Sequence, residues 1–415
     1  MPIAKPVERA QPAPSHARSP LVVLFVTVFV DLLGFGIVIP FLPMYAQRLH
    51  VGALGVGLIL SIYSFMQLLC APLLGRLSDN YGRRPIILLG LFGSSLSYAV
   101  YGLASSFGVL LLSRAVHGAC AGTISTAQAY VADTTTESQR AHGMGLIGAA
   151  FGLGFVFGPG LGGLLGRSSL RVPVFFAALL TLANLLFAAF ALPEPHSPNV
   201  SSRLDWGTVV APIVRLPRQL TRDRRSGLFA IAFLATFAIA GFETTFTLLV
   251  PRIYGYAAGG IGALLAFAGL TQAFTQGYVV RKAVARAGEQ RLVQIGLLAL
   301  ALGMAPMAST SSIVLLMVLL AMLSVGYGLA SPSVASLISK RTERQLQGEV
   351  LGVNQSALSL ARICGPIAAG IAYEMAGPGA AYFGAGTAAL LAFALSRKLG
   401  STDSYTDIHK ERSSR

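Results

Sequence analysis

The stretch Gly75-Arg-Leu-Ser-Asp79-Asn-Tyr-Gly82-Arg83-Arg84 lies between two apolar segments, each long enough to cross a bilayer. So many charged side chains are unstable in hydrocarbon, where they lose their hydration. The stretch is therefore predicted to be a tight, water-facing turn that joins two membrane helices. Two glycines seven residues apart, with an acid between them and an arginine pair behind them, are more specific than an ordinary basic loop.

Composition places the rest of the chain in a membrane as well. Of 415 residues, 54% are hydrophobic and 11% are charged, whereas a soluble domain has about 25% charged residues. A helix needs about 20 apolar residues to cross the hydrocarbon, so twelve helices with short loops would use most of the chain. The 46 glycines agree with this prediction, because small residues let membrane helices approach closely.

The net charge of +15 is distributed unevenly along the predicted topology. The tails, the central loop and the loops after predicted helices 2, 4, 8 and 10 hold 25 of the Lys and Arg residues, and the opposite side holds only Arg48, Arg167, Arg171 and Arg252. This asymmetry follows the positive-inside rule and predicts an inner-membrane protein with both termini in the cytoplasm. Membrane topology explains the basic charge, so no nucleic-acid partner is expected.

We predict an all-α membrane protein with twelve transmembrane helices in two pseudo-symmetric six-helix bundles. The predicted domains are a disordered cytoplasmic tail (1–20), an N-terminal bundle (21–192), a cytoplasmic connector (193–226), a C-terminal bundle (227–397) and a second cytoplasmic tail (398–415). The predicted helices are 21–45, 54–74, 86–104, 107–131, 144–166, 172–192, 227–250, 260–280, 291–308, 313–335, 349–373 and 378–397.

A weak internal repeat supports the division into two halves. Gly158-Pro159 in predicted helix 5 corresponds to Gly365-Pro366 in predicted helix 11, and Gly163 corresponds to Gly370. Parallel repeats of six helices with a site between them are typical of one large class of secondary transporters.

The opening motif resembles the loop between helices 2 and 3 of major facilitator superfamily transporters. The resemblance implies that this loop acts as a conformational latch when the chain is closed to the cytoplasm. Asp79 would then lie at the start of helix 11, near 348–352, where the helix dipole favours an anion. Arg83 would pair with Asp133 at the end of helix 4. The residues assigned to this latch are Gly75, Asp79, Gly82, Arg83, Arg84 and Asp133.

Predicted helix 5 carries a second motif, made of Gly154, Gly158, Pro159, Gly162 and Gly163. Small residues on one helical face are consistent with close packing alone. The full pattern also resembles the antiporter motif of the drug-exporting branches of the superfamily, and we favour that interpretation.

Three residues are candidates for proton coupling in the N-terminal half. Arg114 and His117 lie in a string that resembles the family motif Arg-x-x-Gln-Gly, with His in place of Gln. Asp31 lies eleven residues into predicted helix 1, about 16 Å from its start, in a string similar to the first helix of tetracycline-type proton antiporters. The coupling interpretation expects Asp31 and Arg114 to meet between helices 1 and 4, with Arg114 modulating the protonation of the acid. The alternative is structural: Asp31 would be a permanent ion-pair partner of Arg114, and His117 a hydrogen-bonding group.

The C-terminal half offers further polar candidates within its spans. Glu243 is the acid deep in this half, and it could receive a proton or a cationic substrate, or cap a water-filled vestibule. Candidates for a substrate cavity are Gln67, Gln128, Gln272, Asn354, Gln355 and Arg362. Each of the amides alone is also consistent with an ordinary contact between helices.

Motifs for catalysis and cofactor binding are missing from the sequence. There is no phosphate-binding glycine loop, no nucleophile elbow and no His/Cys spacing for a metal. We therefore expect no enzymatic activity, no metal and no cofactor. The expected energy source is the proton gradient. The expected partners are the lipid bilayer, protons and a small-molecule substrate, and the expected state is a monomer.

The resemblance covers about residues 20–398 and implies a drug:proton antiporter similar to the tetracycline exporters. Two bundles would rock about a central site while inward proton flow drives a small amphipathic molecule out. Two alternatives stay open. One is proton-coupled uptake of a metabolite, which the helix 5 motif disfavours. The other is a membrane sensor or scaffold that uses this fold without transport.

Overall fold

The computed structural model describes residues 20–195, 225–343 and 346–398. Within these ranges the chain is helical and contains no strand. The predicted tails, apart from Pro20 and Lys398, lie outside the described residues, as does most of the predicted connector.

Ten apolar helical segments are long enough to cross a membrane, and two of them contain two helices each. Gly288 and Gly377 have φ values of 75° and 83° and interrupt these two segments. The described chain therefore has twelve spans, as predicted. They are α1 (Pro20–Arg48), α2 (Ala53–Tyr81), α3 (Arg83–Leu103), α4 (Phe107–Thr134), α5 (Glu137–Leu165), α6 (Arg171–Ala191), α7 (Ser226–Tyr254), α8 (258–287), α9 (289–304), α10 (Ile313–Lys340), α11 (347–376) and α12 (378–398).

The loop predicted for Gly75–Arg84 is much shorter than expected. Helix α2 continues through Asp79 to Tyr81, and Gly82 alone joins it to α3. Polar residues can continue a helix once it leaves the hydrocarbon, because water hydrates their side chains there. Hydropathy therefore marked where α2 leaves the membrane and not where the helix ends. Gly82 stops the helix because its φ of 102° is accessible to glycine and rarely to other residues.

Glycines bring the helices of the N-terminal half into close contact. A Cβ added to Gly158 of α5 would lie 2.5 Å from the carbonyl carbon of Gly36 in α1. A Cβ added to Gly154 would lie 2.9 Å from the Cβ of Leu32. These helices meet backbone to backbone, which is the packing that small residues allow in membranes.

Among the residues that the structure describes, the close backbone contacts between the two halves lie toward one end of the molecule. We call the end that carries Gly82 the basic end and the opposite one the far end. At the far end, a Cβ on Gly163 of α5 would lie 2.8 Å from the Cα of Gly262 in α8. Toward the basic end, added Cβ atoms would have nothing within 4 Å on α2, α5, α8 and α11, at Gly75, Gly145, Gly148, Gly152, Gly277 and Gly352. In the part of the chain that the structure describes, the halves are therefore closed together at the far end and open toward the basic end.

Candidate functional site

Arg114 lies inside the N-terminal half with 1% of its surface exposed. Its Nη1 is 2.9 Å from Nδ1 of His117, one helical turn along α4. A guanidinium group only donates hydrogen bonds, so Nδ1 of His117 must be the acceptor. His117 is then neutral, with its proton on Nε2. His117 replaces the glutamine of the family motif and still provides a hydrogen-bond acceptor for Arg114.

Aromatic rings surround this pair. The guanidinium carbon of Arg114 lies 4.7 Å from the ring centre of Tyr63 on α2 and 5.9 Å from that of Phe35 on α1. The His117 ring is edge-on to Tyr98 at 4.7 Å and to Tyr63 at 5.1 Å. Ring faces attract a cation, so they partly compensate the loss of hydration of Arg114. We call these five residues the arginine–aromatic cluster.

Asp31 does not form the ion pair with Arg114 that the structural alternative required, and the contact that the coupling interpretation expected between them is wrong for this conformation. Within the described part of the chain no ion pair joins them, and Asp31 Oδ1 and Arg114 Nε and Nη2 are buried without hydrogen-bond partners. Tyr63 and Tyr98 are within electrostatic range of both charges. Helix periodicity indicates the depth of each residue in the membrane but not the direction of its side chain. The sequence therefore could not show that Asp31 and Arg114 stay apart.

The C-terminal half contributes two charges that face open space within the spans. Glu243 on α7 and Arg362 on α11 are both exposed, and they interact electrostatically without forming one of the ion pairs found in the described residues. Arg362 is also within electrostatic range of Tyr63 in the other half. Arg362 therefore lies near the arginine–aromatic cluster at the boundary between the halves, with Glu243 within electrostatic range of it.

The predicted polar candidates occupy different environments. Gln128 and Gln355 are exposed, and Gln272 is half-buried. Gln67 donates a weak hydrogen bond of 3.5 Å to the carbonyl of Ala121, which favours a contact between helices. Asn354 is buried, and its Oδ1 has no hydrogen-bond partner.

At the basic end, Arg83 brings three helices together. Its Nε is 2.7 Å from Oδ2 of Asp133 on α4, and its Nη1 is 2.5 Å from Oδ1 of Asp79 on α2. The side chain of Asp79 is 58% exposed. Gly352, at the start of α11, faces open space. The contact between Asp79 and α11 belongs to a conformation closed at the basic end and stays a prediction.

Glu194, which the sequence analysis did not single out, completes this end. Its carboxylate accepts hydrogen bonds from the backbone N–H groups of Arg83 and Arg84 at 2.8 and 2.9 Å. It caps the first turn of α3, where unpaired N–H groups favour an anion. A Cβ on Gly82 would lie 2.6 Å from Oε2 of Glu194. The sequence shows only that Glu194 follows a predicted span. That position does not indicate which helix its carboxylate caps.

The glycines of the α5 motif contact α1 of their own half and α8 of the other half. Gly154, Gly158 and Gly162 pack on α1, whereas Gly163 packs on α8 across the boundary between the halves. The carbonyl oxygen of Pro159 would be 2.7 Å from a Cβ on Gly262. These glycines therefore pack closely in this conformation, and their assignment as an antiporter motif stays a prediction. The motif also forms part of the surface that must separate if the far end opens.

Comparison with known proteins identifies the family. The model of the Major Facilitator Superfamily matches residues 24–363 and, in a second match, residues 228–412. This chain belongs to the Major Facilitator Superfamily. The second match begins at the start of the C-terminal bundle.

Three relatives illustrate the range of similarity. Tetracycline resistance protein, class E, of Escherichia coli is 33% identical over 354 residues, which cover 84% of this chain and 86% of that protein. Multidrug resistance protein 2 of Bacillus subtilis is 29% identical over 362 residues, or 87% and 90%. The crystal structure of the human organic anion transporter MFSD10 (TETRAN) has a TM-score of 0.68 and 30% identity, covering 91% of this chain and 98% of that one.

These similarities confirm the predicted family and fold. The chain is a multi-pass membrane transporter of this superfamily and not an enzyme. A bacterial homologue of the human lysosomal transporter Spinster, solved in an inward-facing conformation, shares the fold with a TM-score of 0.73 at 15% identity.

Proposed function

We propose that this protein exports small amphipathic molecules, of the tetracycline type, from the cytoplasm in exchange for protons. The similarity to tetracycline and multidrug resistance proteins extends over more than four-fifths of the chain and supports a drug-like substrate. The excess of Lys and Arg supports a cytoplasmic location for the basic end and both termini, in an inner membrane. The protein acts as a monomer.

The observation that carries the proposal is the unpaired Asp31 beside the arginine–aromatic cluster. A carboxylate without a partner in a low-dielectric site is unfavourable, and binding a proton removes that charge. Tyr63 and Tyr98 are within electrostatic range of both Asp31 and Arg114, but Arg114 does not neutralise Asp31 by direct contact. Asp31 can therefore exist with or without its proton, as a coupling residue must.

The open basic end supports entry of the exported substrate into the central space from the cytoplasm. In the described conformation the space between the halves is open there and closed at the far end. An amphipathic substrate would contact the aromatic rings of Tyr63 and Phe35 and the exposed polar groups of Gln128 and Gln355. Proton binding at Asp31 would then favour the return to this conformation after release outside.

A specific observation favours a second candidate, the export of organic anions. Arg362 exposes its guanidinium group to the space between the halves without an ion-pair partner among the described residues. An acidic substrate could bind it with charge-assisted hydrogen bonds. The human relative of known structure is an organic anion transporter by its title. Glu243 nearby would instead attract a cationic substrate.

Everted membrane vesicles test the direction, the energy source and the substrate charge together. With the vesicle interior made acidic, the protein should accumulate tetracycline, and an uncoupler should abolish accumulation. Uptake that survives the uncoupler, or drug movement in the opposite direction, would contradict proton-driven export. If organic anions are the substrates, fluorescein-type anions should accumulate instead and Arg362→Gln should abolish that uptake.

A further inference from the structure

The far end contains a contact between the halves that lies outside all the sequence motifs. Glu374, close to the end of α11, accepts a hydrogen bond of 3.0 Å from the backbone N–H of Leu54 in the first turn of α2. A Cβ on Gly52, the residue before α2, would lie 2.9 Å from Oε2 of Glu374. The carboxylate therefore caps the start of α2. This position is favourable for an anion because the first N–H groups of a helix are unpaired and its dipole is positive there.

Closely packed backbones surround this cap. A Cβ on Gly370 of α11 would lie 2.6 Å from the carbonyl oxygen of Ala53, and one on Gly57 of α2 would lie 2.4 Å from that of Pro366. Further along, the hydroxyl of Ser61 donates a 2.6 Å hydrogen bond to the carbonyl of Ile363. Alternating access requires this whole interface to separate when the far end opens, so the hydrogen bond to Glu374 must then break.

The internal repeat provides a built-in comparison. The repeat relates Gly158 to Gly365, a shift of 207 positions, and the same shift relates Arg167 to Glu374 and Gly259 to Gly52. Arg167 lies against the start of α8, where a Cβ on Gly259 would be 3.1 Å from its Nε. A cation is unfavourable at a helix start. Two equivalent corners of the far end thus carry opposite charges against equivalent helix starts.

We propose that Glu374 stabilises the closed state of the far end. Its charge stabilises the contact between α11 and α2, and Arg167 opposes the equivalent contact between α5 and α8. The α11–α2 contact would then be stabilised and the α5–α8 contact weakened. Because only one of the two contacts is strengthened, the far end can still open. The inference rests on alternating access, which the family supplies, and not on a particular substrate or on protons.

The same two helices would carry an equivalent contact at the basic end. There, Asp79 near the end of α2 is predicted to cap the start of α11 when the basic end closes. At the far end, Glu374 near the end of α11 caps the start of α2. Each helix would supply an acid for the other's start, and one of the two contacts would form in each conformation.

The rate of alkylation of a buried cysteine measures how often the far end opens. Ser61 on α2 is 3% exposed and its hydroxyl donates a hydrogen bond to the carbonyl of Ile363 on α11, so Ser61→Cys should react only after these two helices separate. The protein is used as the full chain in detergent, with Cys70, Cys120 and Cys364 replaced by alanine. Glu374→Ala should raise the alkylation rate about fivefold, because an anion at a helix start contributes on the order of 1 kcal/mol.

Arg167→Ala is the matched control, because it occupies the equivalent position with the opposite charge. It should leave the alkylation rate unchanged or lower it. A rate for Glu374→Ala equal to that of the parent, or an equal increase in both variants, would overturn the proposal. A second reporter, Ala127→Cys in the buried core of the N-terminal half, should react equally slowly in all variants. If Glu374→Ala also raises that rate, Glu374→Gln, which keeps the side-chain volume, is used in its place.

The alkylation measurement needs neither drug nor proton gradient. The proposal for Glu374 can therefore be wrong while the proposed export function is correct, and the export function can be wrong while the proposal for Glu374 is correct.

Discussion

Arg114 donates a hydrogen bond to the Nδ1 of His117, and the two residues occupy the places of the arginine and glutamine of the family motif. His117→Gln keeps an acceptor, so we expect gradient-driven drug uptake into vesicles to persist. His117→Leu leaves another buried N–H of Arg114 unpaired, which costs about 1–3 kcal/mol, and should lower thermal stability and uptake together. Equal uptake by both variants and the parent would contradict this role for Nδ1.

Removal of the Asp31 charge should affect transport more than folding. Asp31 has no ion-pair partner among the described residues, so Asp31→Asn breaks no such pair and should leave expression and the unfolding temperature nearly unchanged. Gradient-driven uptake should be lost, whereas drug binding to the purified protein should persist because asparagine imitates the protonated acid. A large fall in expression would instead indicate a structural role.

The double variant Asp31→Asn with Arg114→Gln separates coupling from charge balance. If Asp31 carries the proton, the double variant should remain without gradient-driven uptake even where it folds as well as the parent. Recovery of active transport in the double variant would refute the coupling role.

Gly82→Ala should destabilise the basic end for two reasons. Alanine is strained at a φ of 102°, and its Cβ would lie 2.6 Å from Glu194. We expect a loss of about 1–3 kcal/mol, seen as a lower unfolding temperature in detergent. Gly75→Ala on the preceding helix is the matched control, since its Cβ meets nothing within 4 Å. Glu194→Ala should cost about 1 kcal/mol through loss of the α3 cap. Equal unfolding temperatures for Gly82→Ala and Gly75→Ala would contradict the described geometry.

Gly158→Ala tests the packing of the helix 5 motif. Its Cβ would lie 2.5 Å from the backbone of Gly36, and the resulting shift of α5 should destabilise the protein by about 1–3 kcal/mol. Gly148→Ala lies on the same helix in open space and should be tolerated. Thermal unfolding of the two purified variants makes the comparison, and a stable Gly158→Ala variant would contradict the packing described for α1 and α5.

Asp79→Asn should reduce transport without loss of protein from the membrane. Its carboxylate is more than half exposed, so its contribution to stability through Arg83 is small. Its predicted function belongs to the conformation closed at the basic end, where it would meet the start of α11. Drug uptake and membrane abundance are measured side by side, and full uptake by Asp79→Asn would contradict the latch.

The number of helices and most of their bounds could be predicted, as α4 shows: it was expected at 107–131 and is found at Phe107–Thr134. Hydropathy determines such spans because each must shield its own backbone from lipid. The extension of α2 to Tyr81 could not be predicted this way, because beyond the bilayer surface the hydrophobic constraint no longer acts. The pair formed by Arg83 and Asp133 was predicted for a conformation closed at the basic end. The structure contains it while that end is open, so this pair alone does not hold the end closed.

By itself, the sequence determined the twelve spans and the charges placed inside the membrane, because both depend on the transfer of residues between water and lipid. It also revealed the likeness of the halves, because matching residues recur at a constant spacing. Only the tertiary structure decided which of those charges meet. It separated Asp31 from Arg114, paired Arg114 with His117, and brought Glu194 to α3 and Glu374 to α2. These contacts depend on the direction of side chains and on the packing of helices distant in sequence, and the residue pattern of a single helix contains neither.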